Sequence, residues 1–350
     1  MKIEENISLA TLTTFAIGGP ARWLVAVRSE EELVEAVGWA RARQLPLFVL
    51  GGGSNLLVSD AGFDGLVIRM AMEGVEEQGS LLRAAAGVEW DAFVSLTVSR
   101  GHAGVECLAG IPGTVGGTPV QNVGAYGQEV GTAIESVRAY DLETRSFLEF
   151  SAAECGFSYR RSRFNTVDRD RYIVTRVDYR LTPQGAPQLD YADLKKHFAD
   201  RASLPSLVEV AEAVRAIRRT KAMSLIEGDS DCQSAGSFFK NPSVEPAVAE
   251  QVRCFAVSRG LALRTYPTAD GKEKIPAAWL IEQAGFPKGF AMGRAAINSR
   301  HTLALVNRGG ATAAEVLALA ARIRAGVLEC FHIALEMEPV RVGFDCNPLP

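Results

Sequence analysis

The apolar positions of this chain follow two periods. Leu207, Val210, Ala211, Val214 and Ile217 fall at i, i+3, i+4, i+7 and i+10, which predicts a helix over 206–219. The same spacing, with Trp90, Phe93, Val94 and Val98 on one side, predicts a helix over 89–100. Ser29 with Glu32 and Thr312 with Glu315 have capping-box spacing, so helices are expected to about Arg43 and about Glu329. Further helices are expected over 246–259 and 275–283. Short apolar or alternating runs predict strands at 23–27, 47–50, 66–70, 81–86, 172–181, 303–306 and 333–342. Strands 137–140 and 146–150 flank Leu142-Glu-Thr-Arg as a hairpin. The polar stretch Glu227–Gly236 reads as a domain boundary.

Two glycine-rich stretches interrupt these patterns. One is Gly51-Gly-Gly-Ser-Asn55, directly after the strand at 47–50. It fails the dinucleotide fingerprint at Leu56 and has no P-loop G-K-[ST]. The other runs from Cys107 to Gly127 with almost no charge. It can be a surface turn region, or a cradle in which bare N–H groups meet phosphate. Two such loops of different type suggest a diphosphate held between two lobes.

Composition narrows the partners. The 350 residues, 47% hydrophobic, suffice for two or three domains. A net charge of −4 gives no footprint for nucleic acid. No apolar run is long enough to predict a membrane span, and the first residues, M-K-I-E-E-N, lack signal-peptide character. The six cysteines are scattered and expected to be reduced, and the cytoplasm is the expected compartment. The four histidines show no zinc-ligand spacing, so no metal is assigned.

Three islands carry polar groups with chemical use. In Phe157-Ser-Tyr-Arg-Arg-Ser162, adjacent arginines in an extended chain point opposite ways, one to solvent and one to an anion. A solvated basic turn is the plain alternative. In Ala235-Gly-Ser-Phe-Phe-Lys-Asn-Pro242, two aromatics can shield the Ser237 hydroxyl as a proton donor. The alternative is a turn serine; no G-x-S-x-G context makes it a hydrolase nucleophile. In Leu335-Glu-Met-Glu-Pro-Val-Arg341, Glu336 and Glu338 would share a strand face as active or merely solvated carboxylates.

Taken in order, these islands resemble one family. T-T-F-A-I-G-G at 13–19, L-G-G-G-S-N-L-L at 50–57 and G-I-P-G-T-V-G-G-T-P-V-Q-N-V-G-A-Y-G at 110–127 precede F-S-Y-R-R-S, A-G-S-F-F-K-N-P and L-E-M-E-P-V-R. The set resembles the UDP-N-acetylenolpyruvoylglucosamine reductases, flavoenzymes of bacterial wall synthesis. The resemblance implies an α+β chain: a two-lobed FAD-binding fold of the vanillyl-alcohol-oxidase/PCMH type plus a C-terminal α+β substrate domain. The expected division is 1–70, 71–225 completed by 333–350, and 226–332.

The resemblance also implies roles. FAD, bound non-covalently, would be held by Gly51, Gly52, Gly53, Ser54, Asn55 and Leu56. Its second loop would use Ile111, Pro112, Gly113, Gly116 and Gly117, then Gln121, Asn122, Gly124, Ala125 and Tyr126. Arg160, Ser237 and Glu338 match the catalytic residues; Pro339 departs from the commoner E-V-R and leaves Glu336 a rival. Tyr159, Tyr191, Lys221 and Asn241 would contact substrate. Tyr266 would lie in the extra loop of one family subtype. The implied reaction is NADPH-dependent reduction of UDP-N-acetylglucosamine enolpyruvate by a monomer. An FAD-dependent oxidase of a hydroxy acid or sugar lactone is the alternative.

Overall fold

The structure, a computed structural model, describes residues 1–226, 228–268 and 270–344. Glu227, at the start of the polar boundary stretch, and the tail with Cys346 lie outside the described residues. The chain forms two units. The first comprises Met1–Ile7, Ala21–Gly53 and Asp64–Ser224; the second comprises Ser8–Pro20, Ser54–Phe63 and the described residues from Leu225 to Phe344.

Strands Ile3–Ser8, Pro20–Val27, Phe63–Met70 and Leu47–Leu50 form one sheet in that order, and all but their residues Ser8, Pro20 and Phe63 lie in the first unit. Leu47–Leu50 runs parallel to Leu66–Arg69, and the helix Glu30–Arg41 lies between Pro20–Val27 and Leu47–Leu50 in sequence. Its apolar stripe, Leu33, Ala36, Val37 and Ala40, is buried with Val25, Leu66 and Ile68. Ser29 accepts from Glu32 N, but the Glu32 carboxylate takes the Arg28 N–H, so the reciprocal half of the expected capping box shifts one residue.

The second sheet of this unit is antiparallel, in the order Ser146–Ser151, Ile134–Asp141, Tyr172–Arg180, Leu81–Ala85, Val75–Gln78. The hairpin closes at Asp141↔Ser146 around residues 142–145, as its sequence predicts. Helices Trp90–Ser99 and Leu207–Thr220 share the core of this sheet, with Trp90, Phe93, Tyr179, Val210 and Val214 fully buried. Phe93 and Tyr179 have ring centroids 4.7 Å apart.

The second unit packs helices Pro246–Ser258, Ala277–Gln283 and Ala313–Phe331 around Phe238, Phe239, Ile281, Leu305 and Ile323. Thr312 and Glu315 complete a capping box. One expectation changes here. The strand expected over 333–342 is ladder-paired only at Val340–Val342, which runs parallel to Leu56–Val58. Ile333 and Leu335 are core residues, and Met337 makes a single bridge to Phe239. Pro339 has no N–H to continue a ladder, so pairing resumes only after it. Residues 333–342 lie in the second unit. Tyr266–Pro267 forms a two-residue strand. It pairs with Glu273–Lys274, which also pairs with Ser243–Val244.

Phe93→Ala should lower the unfolding free energy by about 3–5 kcal/mol, since a fully buried aromatic is replaced by a cavity. Urea unfolding checks this; a loss below about 1 kcal/mol would remove Phe93 from the core account.

Candidate active site

The two glycine stretches meet in the first unit. A Cβ on Gly52 would lie 2.5 Å from Gly113 Cα, and one on Gly51 would lie 2.8 Å from Thr114 Oγ1. Only bare backbone tolerates that approach. The loop at Gly113 is tied to the entry of the helix Trp90–Ser99. Trp90 N donates to Gly113 O (3.0 Å), Val115 N to Val88 O (2.9 Å) and Gly116 N to Ala86 O (2.9 Å). The Trp90 indole donates to Leu108 O (3.0 Å).

Its base is stapled by a buried carboxylate. Glu106 accepts from Gly104 N (2.7 Å), Gln128 Nε2 (2.8 Å) and Gln188 N (2.9 Å). Gln128 Oε1 accepts from Cys107 N (2.8 Å), so both ends of the 107–128 segment are fixed to one another. Within this frame the Thr114 hydroxyl is buried without a hydrogen-bond partner among the described residues. A buried unsatisfied polar group costs about 1–3 kcal/mol, which a ligand oxygen would relieve. The cradle and the orphan hydroxyl fit a phosphate-bearing cofactor. Sequence reading passed over Thr114; its signal was a hydroxyl set between Gly113 and Gly116-Gly117.

The other expected cofactor residues divide by environment. Gly117 is exposed, with open space where a side chain would be. Gly116 is a packing glycine, since its Cβ would meet Ala86 Cβ at 2.6 Å. Ile111, Pro112 and Gln121 are half-buried in the loop. Gly124 and Ala125 pair with Gln128 and Glu129. Ser54, Asn55 and Leu56 belong to the second unit, where Asn55 O accepts from Val340 N (2.9 Å).

Tyr126 sits with two expected substrate residues. Its ring meets Tyr191 edge-on at 5.3 Å, and Lys221 Nζ lies 5.6 Å from its centroid. Burial raises the Tyr126 pKa above the ordinary phenol value. Lys221 is ion-paired with Asp193 at 2.6 Å. Beneath the loop, buried Arg218 donates to Gly110 O (2.9 Å) and Met223 O (2.6 Å). Burial pulls its pKa down from the usual guanidinium value.

Arg160 occupies a tight turn, not the extended chain expected for it. Ser158 and Arg161 exchange backbone hydrogen bonds of 3.0 Å, leaving Tyr159 and Arg160 at the tip. Arg160 has φ +56°, a conformation uncommon for a non-glycine residue. Its Nη2 donates to Gly124 O (2.8 Å) and its Nη1 to Asn122 O (3.4 Å), while Arg161 is exposed. The guanidinium lies 5.2 Å from the Tyr159 ring centroid.

In the second unit, the serine island runs beside the acidic one. Phe238 N donates to Leu303 O (2.7 Å), and Phe238 O accepts from Glu338 N (2.9 Å). Both phenylalanines are buried, and nothing among the described residues bonds the Ser237 hydroxyl. Glu336 is exposed and ion-paired with Lys240 at 2.5 Å. Glu338 is half-buried, and its carbonyl accepts from Asn55 Nδ2 at 3.5 Å. Asn241 Oδ1 accepts from Ala277 N (2.9 Å), at the start of the helix Ala277–Gln283. Tyr266 is exposed on its hairpin.

Known proteins place these features in a family. Residues 21–145, which span both glycine stretches, match an FAD binding domain. Residues 228–342 match the UDP-N-acetylenolpyruvoylglucosamine reductase C-terminal domain. The chain is 44% identical over 349 residues to the UDP-N-acetylenolpyruvoylglucosamine reductase of Thermobifida fusca (strain YX), covering 97% of this chain and 98% of that protein. It belongs to the UDP-N-acetylenolpyruvoylglucosamine reductase family. The reductase of Nocardia farcinica (strain IFM 10152) is 46% identical over 347 residues, covering 97% of this chain and 90% of that protein. The crystal structure of the Thermus caldophilus reductase aligns with TM-score 0.68 and 28% identity, over 98% of this chain and 99% of that one. The expected α+β fold with an FAD-binding part and a C-terminal reductase domain is thus shown, as is a flavin oxidoreductase. Among the described residues, no helix is long and apolar enough to cross a membrane.

Gly52→Ala places a methyl group against the Gly113 backbone and should expel the cofactor. The ratio of flavin to protein absorbance after purification should fall at least tenfold. A full complement of flavin would show that the two stretches can separate without loss of binding.

Proposed function

We propose that this protein reduces UDP-N-acetylglucosamine enolpyruvate to UDP-N-acetylmuramate at the expense of NADPH, a step of bacterial peptidoglycan synthesis. The observation that carries this reading is the fixed serine segment. Its backbone is bonded on both sides at Phe238, while the adjacent Ser237 hydroxyl remains available to a ligand.

The glycine loops and the Thr114 hydroxyl would hold FAD, which would supply the hydride chemistry between NADPH and carbon. The remaining work falls to side chains. Arg160 stabilises the negative charge that builds on the substrate carboxylate as the double bond is reduced. Ser237 donates its proton to the carbon adjacent to the one that receives hydride, and Phe238 and Phe239 keep water from the hydroxyl. Glu338 orients or shares charge with the enolic carboxylate. Glu336 is the weaker choice, because its carboxylate is solvated and engaged by Lys240. Tyr159, Tyr191, Lys221, Asn241 and Tyr266 bind the sugar nucleotide, and Tyr266 assigns the chain to the subtype with the extra segment. The protein acts in the cytoplasm, as a monomer.

Anaerobic incubation with NADPH and the enolpyruvyl substrate should yield UDP-N-acetylmuramate. Oxygen consumption with a hydroxy acid or sugar lactone, without NADPH, would instead favour an oxidase on the same fold. Ser237→Ala should retain flavin and pass electrons from NADPH to ferricyanide at close to the normal rate. Its reduction of the enolpyruvyl substrate should slow by roughly 10²–10⁴-fold, the loss of a positioned general acid. Normal substrate turnover would remove Ser237 from the mechanism. Glu338→Gln should cost more activity than Glu336→Gln; the opposite ranking would move the assignment to Glu336.

A further inference from the structure

Asn122 was expected to bind cofactor, yet its side chain is committed elsewhere. The residue is 1% exposed. Its Nδ2 donates to the Glu129 carboxylate (2.8 Å) and to Ser158 O (3.0 Å), and its Oδ1 accepts from Gly131 N (2.9 Å). Ser158 opens the turn that carries Arg160. The carbonyl of Asn122 itself, with that of Gly124, receives the Arg160 guanidinium. One residue therefore joins two of the supports of Arg160, the turn under its backbone and the carbonyls at its head.

We infer that Asn122 is a positioning residue that fixes the Arg160 guanidinium through the Glu129–Asn122–Ser158 hydrogen bonds. The catalytic part of this inference rests on the reading of Arg160 as the group that stabilises substrate charge. The residue type follows from the geometry. Asn122 has φ +45°, which asparagine adopts more readily than other non-glycine residues. It must donate twice and accept once, as an amide can. Aspartate would set a second carboxylate against Glu129 and lose both donors. Glu129 has no cation partner among the described residues, so it serves as the fixed acceptor. A displacement of about 1 Å at a charge-stabilising group costs on the order of 10²-fold in rate.

The test is a double-mutant cycle in the flavin-loaded enzyme. Asn122→Gly keeps the left-handed backbone and deletes only the side-chain bonds. It should lower kcat by roughly 10–100-fold with KM for NADPH and flavin content unchanged. In an Arg160→Ala background the same change should cost less than about threefold. Equal cost in both backgrounds overturns the inference, because the damage would then bypass Arg160. Glu129→Gln, which keeps an acceptor, should retain most activity, whereas Glu129→Ala should approach the Asn122→Gly loss. This pair carries the test if Asn122→Gly does not fold, and equal activity of the two would overturn it. Guanidinium NMR gives a readout apart from turnover: rotation about Nε–Cζ of Arg160 should be slow in the parent and fast in Asn122→Gly. Should Arg160→Ala turn over normally, the catalytic reading of Arg160 fails. The rotation rates then decide the placement alone, unequal rates sustaining it and equal rates overturning it.

Discussion

The contact between Gly52 and Gly113 is the constraint on which the first unit's site depends. Two backbones approach to a distance that any side chain would forbid. Neither stretch holds that position unaided. The strand Leu47–Leu50 delivers the triple glycine from a buried sheet. The longer loop is pinned at its base by Glu106 and Gln128, and in its middle by Trp90 and Val88. These ties cost no exposed charge and leave the Thr114 hydroxyl as a polar atom without a partner among the described residues.

Strain collects around the same loop. Asn122, Tyr126 and Arg160 all have positive φ although none is glycine. Such conformations cost of order 1 kcal/mol or more each and persist where surrounding bonds over-determine them. Here those bonds are visible: Asn122 through Glu129, Gly131 and Ser158, and Arg160 through Asn165 Nδ2 at 3.1 Å and the loop carbonyls. The second unit solves its own problem by packing. Phe238 and Phe239 are buried in its core, so the serine before them is held by hydrophobic burial as much as by hydrogen bonds.

Much of this was legible in the chain. The 3.6-residue stripe at 207–217 and the capping box at Thr312 depend on neighbours within a turn or two, so pattern alone places those helices. The glycine stretches were legible because their composition suits neither helix nor strand. What escaped the pattern was non-local. The 333–342 segment alternates like a strand, but its partners are set by Phe239 and by Leu56–Val58, far away in sequence, and Pro339 interrupts it. The pairing of Tyr266–Pro267 with Glu273–Lys274 was not legible, because strand pairs of two residues leave no periodic trace. The role of Asn122 was hidden for the same reason: its partners lie up to 36 residues away.

The central claim is that the paired glycine stretches form a diphosphate cradle, and cofactor selectivity tests it most directly. Apoprotein, freed of flavin, can be titrated with FAD and with FMN while protein fluorescence reports binding. FMN carries the same isoalloxazine ring but a single phosphate and no diphosphate. The account predicts that FAD binds at least a hundredfold more tightly than FMN. Equal affinity would place the binding energy in the ring and contradict the cradle.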